Sequence, residues 1–79
     1  FSQMSREDRI RACYQHAGLQ WVACHEMSNA TLRARFGISG SNAAMASRII
    51  AETLESGLIK PYDPDNRSRK HARYVPFWA

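Results

Sequence analysis

Four cations fall within seven residues towards the end of the chain: Arg67, Arg69, Lys70 and Arg73, with His71 among them. A guanidinium is a planar fork of N–H donors that matches two phosphate oxygens, so this cluster is suited to holding phosphate. Arg48 stands apart, preceded by Ser39, Ser41, Asn42 and Met45. Arginine can fork the edge of a guanine and asparagine the edge of an adenine. Serine hydroxyls beside free backbone amides at a helix start suit one more phosphate. Two Cys/His pairs, Cys13 with His16 and Cys24 with His25, resemble zinc ligands only superficially. Their spacing matches no standard knuckle and nothing downstream completes a set of four. No metal and no cofactor is therefore expected, and the residues read as core cysteines and surface histidines.

Catalytic chemistry finds little support. Gly37-Ile38-Ser39-Gly40 lacks the Lys-Ser/Thr ending of a phosphate-binding loop, and the three histidines are too scattered to suggest a nucleophile–base pair. The chain has 79 residues, 44% hydrophobic and 23% charged, which fits one small domain and excludes a disordered or collagen-like segment. No apolar run approaches the roughly 18 residues of a membrane span, and no signal peptide is apparent. Nine Arg and two Lys against seven acidic residues leave a net charge of +4, the balance of a partner for polyanions. Cys13 and Cys24 both fall in one apparent helix, which separates them by roughly 16 Å, whereas a disulfide tolerates Cα separations up to about 7 Å. Reduced thiols suit a cytoplasmic protein. The opening Phe1 reads as the start of a piece cut from a longer protein, with residues 1–4 a linker remnant.

Four segments position these groups. A first helix is predicted from about Arg6 to about His25, with Ser5 and Asp8 approximating a capping box and Glu7 and Asp8 favoured by the helix dipole. Ile10, Cys13, Tyr14, Ala17, Trp21 and Cys24 form its apolar stripe, while Leu19, Val22 and Ala23 lie off it. Gly18 weakens its middle by about 1 kcal/mol relative to alanine. A short second helix runs from about Asn29 to Phe36, with Ser28 as N-cap, a Met27–Leu32 staple and Gly37 as stop. After the turn Ile38–Ser41 a third helix is predicted from about Asn42 to Ser56. It turns Ala46, Ile49, Ile50, Thr53 and Leu54 inward and Ser41, Ala44, Met45, Arg48, Glu52 and Glu55 outward. Leu58–Tyr62 and Ala72–Phe77 then read as two strands around the turn-rich Asp63-Pro64-Asp65-Asn66, with the basic cluster at the tip.

Helix, short helix, turn, longer helix and hairpin, in that order, make a mostly α architecture with a small β-hairpin: a winged helix-turn-helix. The helix-turn-helix covers about 28–56 and the wing about 58–77, in one domain spanning 1–79. Four runs carry a family likeness. They are Thr31-Leu32-Arg33-Ala34-Arg35-Phe36-Gly37-Ile38, Ala46-Ser47-Arg48-Ile49-Ile50, Gly57-Leu58-Ile59-Lys60-Pro61-Tyr62-Asp63-Pro64 and Arg73-Tyr74-Val75-Pro76-Phe77-Trp78-Ala79. Together they resemble the C-terminal winged-helix domain of bacterial proteins that carry an N-terminal Schlafen-type AlbA-like domain. Such proteins are described as RecG-like ATP-dependent DNA helicases or as transcriptional regulators. The resemblance runs from about Ser5 to Ala79 and implies a winged-helix fold, a bacterial cytoplasmic setting and a place at the C-terminus of a longer chain. It brings no catalytic residue with it.

Double-stranded DNA is the partner expected from this order of elements. The third helix would offer Ser41, Asn42, Met45 and Arg48 to the major groove. Arg67, Arg69, Lys70 and Arg73 on the wing would hold phosphates without reading sequence, and Ser39 with Ser41 would add one more phosphate contact. Glu52 and Glu55, on the same outer face as Arg48, oppose deep insertion of the helix. The rival expectation is a protein-interaction module, a homodimer or a contact with upstream domains. Leu19, Val22, Ala23 and Trp78, joined by Phe1 and Met4, would form its face. The bland reading of Trp78 is that it packs on the wing.

Overall fold

A computed structural model describes residues 5–63 and 72–79. It contains α1 (Arg6–Val22), α2 (Asn29–Phe36), a single 3-10 turn (Gly40–Asn42), α3 (Ala43–Glu55), β1 (Ile59–Pro61) and β2 (Tyr74–Pro76). This is the mostly helical fold with a two-stranded antiparallel hairpin expected from the order of elements. The register pairs Ile59 with Pro76, Lys60 with Val75 and Pro61 with Tyr74. Both strands are shorter than predicted. Pro61 has no N–H to carry the ladder onward, and the pairing closes with Tyr62 N–H donating to the Arg73 carbonyl at 2.9 Å.

The helix starts follow local rules. Ser5 accepts from Asp8 N–H at 3.2 Å, one half of the expected box. Ser28 and Thr31 make a complete capping box: the Ser28 hydroxyl accepts from Thr31 N–H and Ser28 N–H donates to the Thr31 hydroxyl. Met27 and Leu32, the staple pair, are both fully buried.

All three helices end on a left-handed residue. Gly37 and Gly57 serve α2 and α3, with φ of 65° and 75°. The residue after the cap of α1 is Cys24, with φ of 66°. Its N–H donates to the Trp21 carbonyl at 2.9 Å and His25 N–H donates to the Gln20 carbonyl at 2.7 Å, a complete Schellman closure. That closure ends α1 at Val22, not at His25. Cys24 consequently lies beyond the helix and is exposed, and His16 takes a core position in the stripe. The sequence had both cysteines inside and the histidines outside; Cys13 and His25 obey that assignment, Cys24 and His16 reverse it.

The core cluster is built from Cys13 and Ala17 of α1, Met27, Leu32, the inner face of α3 (Ala46, Ile49, Ile50) and Ile59, with Phe36 and Leu54 packed against it, and Ile10 of α1 is buried as well. The buried Thr53 hydroxyl donates to the Ile49 carbonyl at 2.7 Å, so it leaves no unsatisfied donor. Burial pushes the Cys13 thiol up to about 11 despite a hydrogen bond with Thr53. Its sulfur also lies 3.8 Å from Met27 Sδ, the setting of an inert packing thiol.

Two long-range ties lock the hairpin to the helices. Met27 and Tyr74 exchange both backbone hydrogen bonds, at 2.9 and 2.7 Å, so β2 is paired with β1 on one side and with the residue before the α2 cap on the other. Beyond β2 the chain straps across α1: Phe77 stacks on Tyr14 with ring centroids 6.0 Å apart, and Trp78 Nε1–H donates to the Tyr14 hydroxyl at 3.0 Å. Among the described residues Trp78 therefore packs on α1.

Candidate nucleic-acid interface

α3 is anchored by its inner face and by a polar clasp to α2. The Asn29 amide Nδ2 donates to the Ala43 carbonyl at 3.0 Å and to the Ser47 hydroxyl at 2.9 Å, while its Oδ1 accepts from Arg33 Nε at 2.6 Å. One asparagine thus bonds the first turn of α3, the second turn of α3 and an arginine one turn along α2. The outward face of α3 carries Ala44, Met45, Ser47, Arg48, Ala51 and Glu55, all exposed. Met45 is 40% exposed, and Arg48 has no hydrogen-bond or ion-pair partner among the described residues.

Glu52 departs from the expected face. It is half-buried, turned towards α1, with Oε2 3.2 Å from Arg6 Nε. The contact is one of charge against charge, without the alignment of an N–H···O hydrogen bond. It forms because the start of α1 packs beside α3, a neighbour that helical periodicity alone does not specify. Of the two carboxylates expected beside Arg48, only Glu55 remains exposed.

The turn before α3 also differs from expectation. The hydroxyls of Ser39 and Ser41 bond each other at 2.8 Å. Asn42 N–H donates to the Ser39 carbonyl at 2.9 Å and Ala43 N–H to the Gly40 carbonyl. The 3-10 turn therefore occupies two of the amides that the sequence left free for phosphate. Asn42 itself is exposed and its side chain caps nothing.

Arg73 is exposed at the edge of β2. Arg67, Arg69, Lys70 and His71 lie outside the described residues, as do Phe1 and Met4. The structure brings Arg33, which sequence reading missed, to the junction of α2 and α3. The available signal was an Asn29/Arg33 pair one turn apart.

The apolar candidates gather on α1. Leu19, Val22 and Trp78 are 58%, 75% and 49% exposed, and Ala23 is exposed beside them. With Tyr14, Gln15 and Gly18, the side chains of Leu19, Val22 and Trp78 line a shallow hollow of about 350 Å³ on α1.

His16 is 4% exposed, with Nε2 3.2 Å from the Thr31 hydroxyl and its ring edge-on to Phe36 at 6.4 Å. Burial, and then the charge of Arg35, hold its pKa below the ordinary imidazole value. Among the described residues no group of three or more His, Cys, Asp or Glu comes together, and no helix is long and apolar enough to cross a membrane. No family model, curated protein or solved structure matches the chain.

Proposed function

We propose that this chain is a double-stranded DNA-binding winged-helix module of a bacterial transcriptional regulator or helicase-related protein, working in the cytoplasm at the nucleoid. The observation that carries the reading is the state of α3. Its inner face is fixed by the core and the Asn29 clasp, while the side chains of Asn42, Met45 and Arg48 are exposed, without a hydrogen bond or ion pair among the described residues, and Glu52 is drawn away to Arg6. A helix held rigidly by one face and open on the other meets the requirement for a reader of the major groove. The small exposed residues Ala44, Ser47 and Ala51 would let its backbone come close to the duplex. Arg48 is assigned to a base edge, Asn42 and Met45 to its flanks, and Arg73 with Arg67, Arg69 and Lys70 to phosphates. Ser39 and Ser41 would contribute only after exchanging their mutual bond for a phosphate oxygen.

Fluorescence-anisotropy titration of the chain with a labelled random duplex, at low and moderate salt, tests this reading. Salt-sensitive binding with a log–log slope of several units is expected. Absence of binding at low salt would remove it. The exposed Leu19, Val22 and Trp78 around Gly18 favour a second reading, a contact face for a second copy or for upstream domains of a parent chain. Sedimentation at high concentration tests the second-copy form of that reading, which requires self-association and is compatible with DNA binding.

A further inference from the structure

We propose that Arg33 is a phosphate ligand, the α2 arm of the DNA interface, and that Asn29 is the residue that positions it. This rests on the DNA-binding reading above and adds to it a contact that lies on neither α3 nor the wing.

Arg33 is half-buried, and its Nε–H is committed to the neutral Asn29 amide at 2.6 Å, not to a carboxylate. Asn29 is itself held by two bonds to α3. The guanidinium is therefore oriented by a clasp that ties it to the reading helix and brings it no counter-charge. Its two terminal nitrogens have no partner among the described residues. One of them lies over the turn into α3, 3.8 Å from where a Cβ on Gly40 would sit.

Arg33 lines a hollow of about 320 Å³ between α2, α3 and the residues just before β2. Arg73 and Ser47 also line the hollow. No carboxylate lines it among the described residues. Two cations lining one small hollow with a serine, and no carboxylate in its wall among the described residues, form a site for a tetrahedral oxyanion. Ser47 also lies on the exposed side of α3, next to Arg48, so the hollow adjoins the outward face. A phosphodiester of a duplex seated on α3 is the anion that such a position would meet. An orienting clasp matters because a cation already fixed in place loses little conformational freedom when the phosphate arrives.

The test is the salt dependence of binding to a random duplex for wild type, Arg33→Gln and Arg33→Lys, with thermal unfolding measured on each. Arg33→Gln should flatten the log–log slope by about 0.9 and weaken binding equally on all sequences, while Arg33→Lys should keep the slope. An unchanged slope and affinity in Arg33→Gln, beside a wild type that binds, overturns the assignment of Arg33 and leaves the DNA-binding reading standing. A wild type that does not bind at low salt overturns both. Should Arg33→Gln fail to fold, the ¹⁵Nε–H resonance of Arg33 in wild type, assigned by its loss in Arg33→Lys, is followed on adding duplex. A shift that saturates with the duplex supports the contact, and a stationary resonance overturns it.

Discussion

His16 on α1 meets Thr31 on α2 through a single pair of atoms, Nε2 and the hydroxyl oxygen, 3.2 Å apart. That hydroxyl already donates its one proton to the Ser28 carbonyl at 3.0 Å and accepts from Ser28 N–H at 2.9 Å. It can only accept from the imidazole, so His16 carries a proton on Nε2. The cap that starts α2 is thereby joined to the core of α1, and a proton added to His16 would have to be buried beside Arg35.

Acid should therefore destabilise the fold through this residue. The folded-state pKa of His16 is depressed, so above the unfolded value of about 6.5 both states are neutral and nothing is lost. Below it the unfolded chain binds a proton that the folded chain refuses, and stability falls by at most about 1.4 kcal/mol per pH unit for one such group. Urea midpoints at pH 7.5 and 5.5 check this. His16→Gln should show a smaller drop than wild type, and equal drops would assign the acid sensitivity to other groups.

Cys24→Gly should stabilise the domain. A side chain at φ of 66° costs roughly 1–2 kcal/mol, and glycine recovers part of that while adding unfolded-state entropy. A gain of about 0.5–1 kcal/mol corresponds to a Tm rise of roughly 2–8 °C in a domain of this size. Cys24→Val, β-branched at the same position, should lower Tm. Calorimetry of both variants decides whether the closure of α1 carries this strain.

Gly18→Ala should also stabilise. A Cβ there would meet Trp78 Cζ2 at 3.6 Å, an ordinary contact, while the helix gains about 0.8–1 kcal/mol of propensity. A drop in Tm would mean that the Trp78 ring sits closer to the helix in solution than this distance implies.

Arg48→Ala should reduce the discrimination between a preferred and a random duplex more than it reduces non-specific affinity, because a bidentate base contact is worth about 1–3 kcal/mol of discrimination. Equal losses on both duplexes, read by anisotropy at fixed salt, would reassign Arg48 to a phosphate. Reversing the charge of Arg69 and Lys70 together should instead weaken all duplexes alike and flatten the salt slope.

Val22→Asp should convert any self-associated species to monomer in sedimentation velocity, since Val22 is the most exposed large apolar side chain on α1 at 75%. A wild type that is monomeric at high concentration would leave that face to other partners.

Most element boundaries and two of the three helix stops can be read from the chain alone. A three- and four-residue apolar recurrence placed α3 to within one residue at either end, Ser28 started α2, and Gly37 and Gly57 stopped their helices. Each of these signals acts within one or two turns of chain, so it is legible without knowing the neighbours. The end of α1 was not legible, because cysteine is an uncommon left-handed residue and the residues around it continue the helical pattern. Which polar groups face one another depends on packing between distant parts of the chain. The fold buried His16 against Thr31 and drew Glu52 across to Arg6. It also closed Ser39 on Ser41 and set Arg33 through Asn29 beside the start of α3. These pairings depend on how the helices pack against one another and on the form of the turn before α3. Helical periodicity assigns a residue to a face, and the neighbour that comes to lie against that face assigns its chemistry.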